Sequence, residues 1–291
     1  MPGFTLPHIA GMDVTGVITA VGADVPSARV GERVVVNPAI SCGRCEPCRR
    51  GTDQFCVAQQ VVGASRAGGY GALCVVPSTH ALVVPGHVDL VTAAAFPTVY
   101  SLAWHALFVT GRLAIGETLL VHAAASGVTT AAVQLAKRAG ARVIVTSRLD
   151  EERDHAMAVG ADAFVNTTTT DLVTAVRDVT DGRGADMVFD HLGPALFGES
   201  VKSLRPLGRL VFCGTTTGAV VHLLLPDVYR NGIALLGVDG YTFDEFARML
   251  DYCWDAELTP VIDRVLPVSE ARQAHELMSA GVLHGKLVMT H

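Results

Sequence analysis

Long apolar runs are missing from this sequence: nowhere do about eighteen apolar residues stand uninterrupted, so no membrane-spanning helix is predicted. Basic clusters are scarce as well. Nothing larger than a pair such as Arg49 and Arg50 stands out, and the formal net charge is -6, which leaves no electrostatic footprint for nucleic acid and argues against an anionic membrane surface. The opening MPGFTLPHIAG has no charged leader followed by an apolar run, so the expected address is the cytoplasm and the expected partners are small molecules. Low-complexity linkers and internal repeats of useful period are absent. What is present is a 291-residue chain, half apolar and 17% charged, long enough to bury one large core or two moderate ones. Two domains are predicted.

The rhythm of apolar residues changes along the chain. Over residues 1–87, short runs (VTGVITAVG, RVVVNPAI, ALCVVP, ALVVP) are separated by Gly, Pro and Asp turns, the pattern of a β-rich module. From 88 to 242, buried strands (TLLVHA, ARVIVTS, AFVN, DMVFDH, RLVFCG, IALLGV) alternate with helical segments, the pattern of a parallel sheet covered on both faces. One such helix is predicted to bury Val128, Ala131, Ala132, Leu135 and Ala139. Residues 243–291 read as helix, strand, helix, strand.

Four of the seven cysteines, Cys42, Cys45, Cys48 and Cys56, stand at the spacing C-x2-C-x2-C-x7-C. One loop can present four thiolates to a single ion at that spacing, and a closed set of four cysteine sulfurs is a donor set of structural zinc. Two disulfides or four free thiols are the other readings. Cys74, Cys213 and Cys253 are scattered, as small buried apolar residues are.

The segment LLVHAAASGVTTAAVQLAKRAGARVIVTSR reads as strand, tight small-residue turn, helix and second strand, the first unit of a dinucleotide-binding Rossmann fold. Its turn, Ser126, Gly127, Val128 and Thr129, is expected to cradle a pyrophosphate against the free N–H groups of the helix start. The literal G-x-G-x-x-G is absent. Aligned on Gly127, the three glycine positions hold Ala124, Ser126 and Thr129, so a non-binding scaffold of the same shape is the competing reading. About twenty residues on, where an NAD-binding chain places an acid for the ribose hydroxyls, stand Ser147 and Arg148. A guanidinium there suits a 2′-phosphate, so NADPH is expected over NADH. The alternative is a solvated Arg148 with Asp150, Glu151 and Glu152 as competing partners.

These motifs, with GMDVTGVITAVG, VGERVVV, AAAFPTVYSLAWHAL, FDHLGPALFGESVKSLRPLGRLVFCGTTTG and the closing HGKLVMTH, resemble the medium-chain dehydrogenase/reductase family of zinc alcohol dehydrogenases and quinone oxidoreductases. The resemblance runs essentially end to end. It implies an α/β protein: a doubly wound Rossmann sheet inserted into a GroES-like β-rich catalytic domain that the C-terminal segment completes. It also implies that Thr98 packs on the nicotinamide, that Gly214 and Thr215 line the cofactor edge, and that the cysteine loop holds one structural zinc.

Departures from the family pattern bear on mechanism. Where members with a catalytic zinc carry Gly-His-Glu, this chain has Gly11, Met12 and Asp13, and the cysteine ligand four residues before the nicotinamide threonine is Ala94. Neither Met12 nor Ala94 replaces those ligands. The pattern looks like the branch that reduces quinones, α,β-unsaturated carbonyls or acyl thioesters with NADPH. A catalytically silent NADPH-binding regulatory protein is one alternative, and a zinc alcohol dehydrogenase with a rebuilt metal site using Asp13 and His8 is another. Tyr100 and His105 are conceivable proton donors but read more simply as packed residues, and no catalytic residue is assigned. The family carries a leading segment that this chain begins beyond, so the GroES-like domain is expected to be partial, with Met1 either an internal methionine or the start of a truncated protein. The apolar sixth strand, NGIALLGV, is expected to pair two copies into a homodimer, the other reading being that the chain's own C-terminal helix covers it.

Overall fold

The computed structural model describes residues 6–291, so Met1, on which the two readings of the chain's start fall, lies outside the described residues. The chain divides into two units, one running to Ser101 and resuming at Gly240, the other Leu102–Asp239. Short, turn-punctuated apolar runs give the first unit five short strands: β1 (Thr15–Val17), β2 (Arg33–Val36), β3 (Ala39–Ile40), β4 (Gln60–Val61) and β5 (Ala81–Val83). β2 pairs antiparallel with β1 and β5, Val35 lying opposite both Thr15 and Leu82, and β3 pairs antiparallel with β4. Val36, Ile40 and Val62 form a small core between them.

Two expectations change here. The run ALCVVP is not a strand: it makes no ladder with any described segment, and Leu73 and Val75 are exposed, because a strand exists only where a neighbour accepts its hydrogen bonds. Residues 88–101 belong to the first unit rather than to the nucleotide domain. The helix Leu90–Ala94, N-capped by Asp89, is bonded to β1 through the Thr15 hydroxyl, which donates to the Leu90 carbonyl at 2.9 Å.

In the second unit the predicted runs become β6 (Thr118–His122), β7 (Arg142–Ser147), β8 (Ala163–Asn166), β9 (Ala185–Asp190), β10 (Leu204–Phe212) and β11 (Ala234–Gly237). They form one parallel sheet in the order β11-β10-β9-β6-β7-β8. Every residue of β6 and of β9 is buried, as a sheet covered on both faces requires. Leu120, Ile144, Val188 and Leu210 meet in its core. Strand order reverses between β6 and β9, and the loops leaving their carboxyl ends open at that reversal, where doubly wound sheets bind their ligands.

The helix Gly127–Arg138 buries a wider arc than the periodicity indicated. Ala131, Ala132 and Leu135 are buried as expected, but Thr129, Val133 and Ala136 are buried too, while Val128 and Ala139 are half-buried. The C-terminal segment returns to the first unit. Its helix Phe243–Asp255 opens on a reciprocal cap between Thr242 and Glu245, and β12 (Ile262–Pro267) and β13 (Lys286–Thr290) pair in parallel around the helix Ala271–Ala280.

Candidate functional site

The turn after β6 is built by backbone geometry rather than by glycine. Ala123 holds φ at 62°, a left-handed conformation that is costly for a residue with a Cβ. That places the strained position one residue before Ala124, where the glycine alignment put it. The Ala124 amide donates to the Thr146 carbonyl of β7 at 3.0 Å, and the Ser126 amide to the Ala123 carbonyl at 2.9 Å. Ser126 caps the following helix, its hydroxyl accepting from the Val128 amide at 3.2 Å. Among the described residues the amides of Gly127 and Thr129 have no protein acceptor, so two N–H groups at a helix start remain to hold an anion.

Of Thr129, only that amide is left to meet an anion. Its side chain is buried, and its hydroxyl donates to the His122 carbonyl at 2.5 Å, filling the space that a glycine would leave between helix and strand. His191 Nε2 lies 2.9 Å from this hydroxyl and 3.0 Å from the same carbonyl. The His122 ring is fully buried between the Thr146 hydroxyl (2.9 Å) and the Ser200 hydroxyl (2.8 Å), and Ser200 in turn reaches Asp190 at 3.5 Å.

Burial pushes the His122 imidazole down to about 4, against the pull of Asp190, and lowers His191 as well. A histidine that resists protonation only when folded stabilises the fold above its ordinary range, near pH 6.5. That contribution is lost as the pH falls from there toward 4, because the unfolded chain binds the proton first. Wild-type stability should therefore drop by roughly 2 kcal/mol more than that of His122→Asn between pH 7.5 and 4.5. Denaturant titrations at the two pH values test this, and equal losses would remove the assignment.

At the end of β7 the main chain of Ser147 is pinned by the Thr167 amide, which donates to its carbonyl at 2.8 Å. Its buried hydroxyl donates to Glu152 at 2.6 Å. Arg148 is exposed and pairs with none of its acidic neighbours: Asp150 faces Arg153 at 3.6 Å and Glu152 faces Ser147. Gly214 and Thr215 follow β10 in exposed loop, Gly214 at a φ of 72° that favours glycine.

In the first unit Asp13 anchors Thr98. Its carboxylate accepts from the Thr98 amide (3.0 Å) and hydroxyl (2.9 Å), and Lys286 pairs with it at 2.5 Å. The turn carrying Asp13 is held by backbone contact: a Cβ on Gly68 would lie 2.2 Å from the Gly11 carbonyl oxygen. This three-residue centre was not predicted. The one available signal was Lys286 itself, one of three lysines in the chain, set directly before the apolar run Leu287, Val288 and Met289.

The same geometry speaks against a rebuilt metal site at Asp13 and His8. Both Asp13 oxygens are engaged, and His8 Nε2 is bonded to the Gly63 carbonyl at 3.0 Å. Tyr100 is buried against Phe96, with ring centroids 4.5 Å apart, and burial drives its hydroxyl pKa upward. His105 is buried at the start of the π-helical turn His105–Thr110.

Among the described residues one group of side chains has metal-binding geometry: the sulfurs of Cys42, Cys45, Cys48 and Cys56 all lie within 4.8 Å of one another. Cys45 and Cys48 are 3.3 Å apart and Cys42 and Cys48 4.0 Å. These separations bracket the roughly 3.8 Å edge of a tetrahedron with zinc–sulfur bonds of about 2.3 Å. Backbone N–H groups at Arg44 and Cys45 pull the Cys42 thiol down to about 6, while desolvation and the facing sulfurs push Cys48 up to about 11. A cation held by these sulfurs would displace their thiol protons.

Comparison with known proteins finds two family matches along the chain. The zinc-binding dehydrogenase family matches residues 127–255, and the alcohol dehydrogenase GroES-like domain matches residues 1–86. The chain is 26% identical to an NAD-dependent alcohol dehydrogenase of Sulfolobus acidocaldarius, over 98% of this chain and 82% of that one. A crystal structure of an NAD-dependent alcohol dehydrogenase superposes with a TM-score of 0.94 at 35% identity, covering 100% of this chain and 85% of that one. A crotonyl-CoA carboxylase/reductase superposes with a TM-score of 0.91 at 25% identity, covering 97% and 72%.

Proposed function

This chain belongs to the medium-chain dehydrogenase/reductase family, and from that premise we propose that it is an NADPH-dependent oxidoreductase that reduces a quinone or an α,β-unsaturated carbonyl without a catalytic zinc. The observation that carries this reading is the state of Asp13. It stands in the stretch where zinc alcohol dehydrogenases place a metal ligand, beside Met12, and its carboxylate is committed to Thr98 and Lys286. Among the described residues the donor set that remains is the four-cysteine group. Similarity to a protein named for the reduction of crotonyl-CoA, an unsaturated thioester, supports the enone side of the proposal.

Bound NADPH would supply the hydride. The chain's own contribution is to bind and orient. The free amides of Gly127 and Thr129, with Ser126 and Val128 in the same turn, would hold the pyrophosphate. Ser147 and Arg148 would meet the phosphorylated ribose, Gly214 and Thr215 the cofactor edge, and Thr98, held by Asp13, the nicotinamide. Such acceptors already stabilise the arriving charge, so positioning replaces metal polarisation. Cys42, Cys45, Cys48 and Cys56 would hold one structural zinc outside the chemistry.

Two copies would associate along the edge strand β11, where Leu235 is partly exposed. No helix among the described residues is long and apolar enough to cross a membrane, and the proposed setting is the cytoplasm.

The test is NADPH oxidation by the purified chain at neutral pH, with an ortho-quinone and a simple enone as acceptors and a chelator-treated control. Turnover that survives the chelator is expected. Absence of turnover in folded protein that binds NADPH would instead make it a silent cofactor-binding protein, and turnover of a simple alcohol that chelation abolishes would restore a metal-dependent dehydrogenase.

A further inference from the structure

Glu152 closes the 3-10 turn that follows β7, and the fold places its carboxylate against the residue where a dinucleotide-binding chain reads the ribose. Only 8% of its surface is exposed. A carboxylate offers about four acceptor positions, and one buried this deeply is ordinarily saturated with donors. Among the described residues one side-chain donor reaches Glu152, and neither of its oxygens is a fully buried atom left without a partner, so the second oxygen is open to solvent. The Ser147 hydroxyl donates to one carboxylate oxygen at 2.6 Å while accepting from the Leu149 amide at 3.1 Å.

No cation among the described residues pairs with Glu152. Arg153, the next residue, is directed to Asp150 at 3.6 Å and lies over the Phe164 ring at 4.6 Å. Arg148 is exposed. The end of β7 therefore presents two opposed groups, a carboxylate with one oxygen open to solvent and an exposed guanidinium.

We infer that Glu152 replaces the missing acid at position 147, accepting the adenosine ribose hydroxyls and setting the choice between NADH and NADPH. Ser147 is too short to accept both hydroxyls of a ribose diol, but it fixes Glu152, which can. A 2′-phosphate would meet that carboxylate as a like charge and Arg148 as an opposite one. The two side chains pull selectivity in opposite directions, Arg148 toward NADPH and Glu152 toward NADH. This rests on the nicotinamide-cofactor reading above and goes beyond it by assigning the residue that opposes the phosphate.

The experiment is calorimetric titration of the full chain with NADH and with NADPH at pH 7.5, for wild type, Glu152→Gln, Ser147→Ala and Arg148→Ala, each checked for folding by its thermal melt. Glu152→Gln keeps the shape and an acceptor for Ser147 but removes the charge. It should weaken NADH about tenfold while leaving NADPH unchanged or tighter, the size expected for one charge-assisted hydrogen bond. Arg148→Ala should do the reverse, weakening NADPH about tenfold and sparing NADH. Ser147→Ala, which releases the Glu152 side chain without removing it, should shift selectivity in the direction of Glu152→Gln by a smaller factor. It decides the matter if Glu152→Gln does not fold.

Equal effects on both cofactors, or none, would make Glu152 a structural residue and overturn this inference alone. Failure of the folded wild type to bind either cofactor would overturn the nicotinamide reading and this inference with it.

Discussion

Asp13→Ala should lower kcat/KM for the reduction by about a hundredfold, the scale on which misplacing a positioning group acts. It should also destabilise the protein by roughly 2–3 kcal/mol. Asp13 touches no reacting atom in this account. It holds the amide and hydroxyl of Thr98 and is itself paired with Lys286, at side-chain exposures of 15% and 21%. Alanine leaves the Lys286 ammonium partly buried with no anion and frees the Thr98 hydroxyl to rotate.

Because the loss is one of orientation, it should fall more heavily on kcat than on KM. Asp13→Asn should sit between the two: an amide oxygen can still accept from Thr98, but it carries no charge for Lys286. A melting temperature and a kcat/KM for Asp13→Ala within about threefold of wild type would sink the assignment. Lys286→Met offers an independent check, since it removes the cation while leaving Thr98 bonded. It should cost stability with a smaller loss of kcat.

Cys48→Ser is expected to release one equivalent of zinc and to destabilise the first unit by several kcal/mol, because the binding energy of a structural ion is folding energy. The loop has little else to hold it. Its helix Glu46–Arg49 is a single turn, and no residue within it is buried. Metal analysis of purified protein and calorimetry of wild type and variant measure both effects. Cys74→Ala, at a cysteine outside the cluster, should retain the metal. Wild-type protein that purifies without zinc, and whose melting temperature does not rise when zinc is added, would show that the four sulfurs are not a metal site. Turnover in the presence of a chelator is a separate matter, since a closed four-thiolate site exchanges slowly and offers no open position to substrate.

Much of this architecture was legible because its signals are local. Six apolar runs at regular spacing specify six strands wherever the chain goes, and each of them lies in the parallel sheet. The cysteine spacing brings four sulfurs together within fifteen residues of chain. The run ALCVVP failed for the complementary reason: its apolar content permits a strand, but no described neighbour pairs with it. The GroES-like match ends at residue 86, close to the boundary read near residue 88, but for the segment that follows, helical periodicity identifies a helix and not the sheet on which it packs. It took the bond from Thr15 to Leu90 to attach that segment to the first unit.

The sequence by itself determined the element rhythm, the metal-loop spacing and the loss of the Gly-His-Glu pattern, since each depends on residues close enough along the chain to be read together. Tertiary structure decided which polar groups are spent. Thr129 is turned inward onto a strand carbonyl, the Ser147 hydroxyl is given to a carboxylate five residues on, and Asp13 is joined to a lysine 273 positions away. A buried polar group takes whatever partner the fold brings within about 3 Å, and that partner is set by packing across the whole unit rather than by neighbours in the chain.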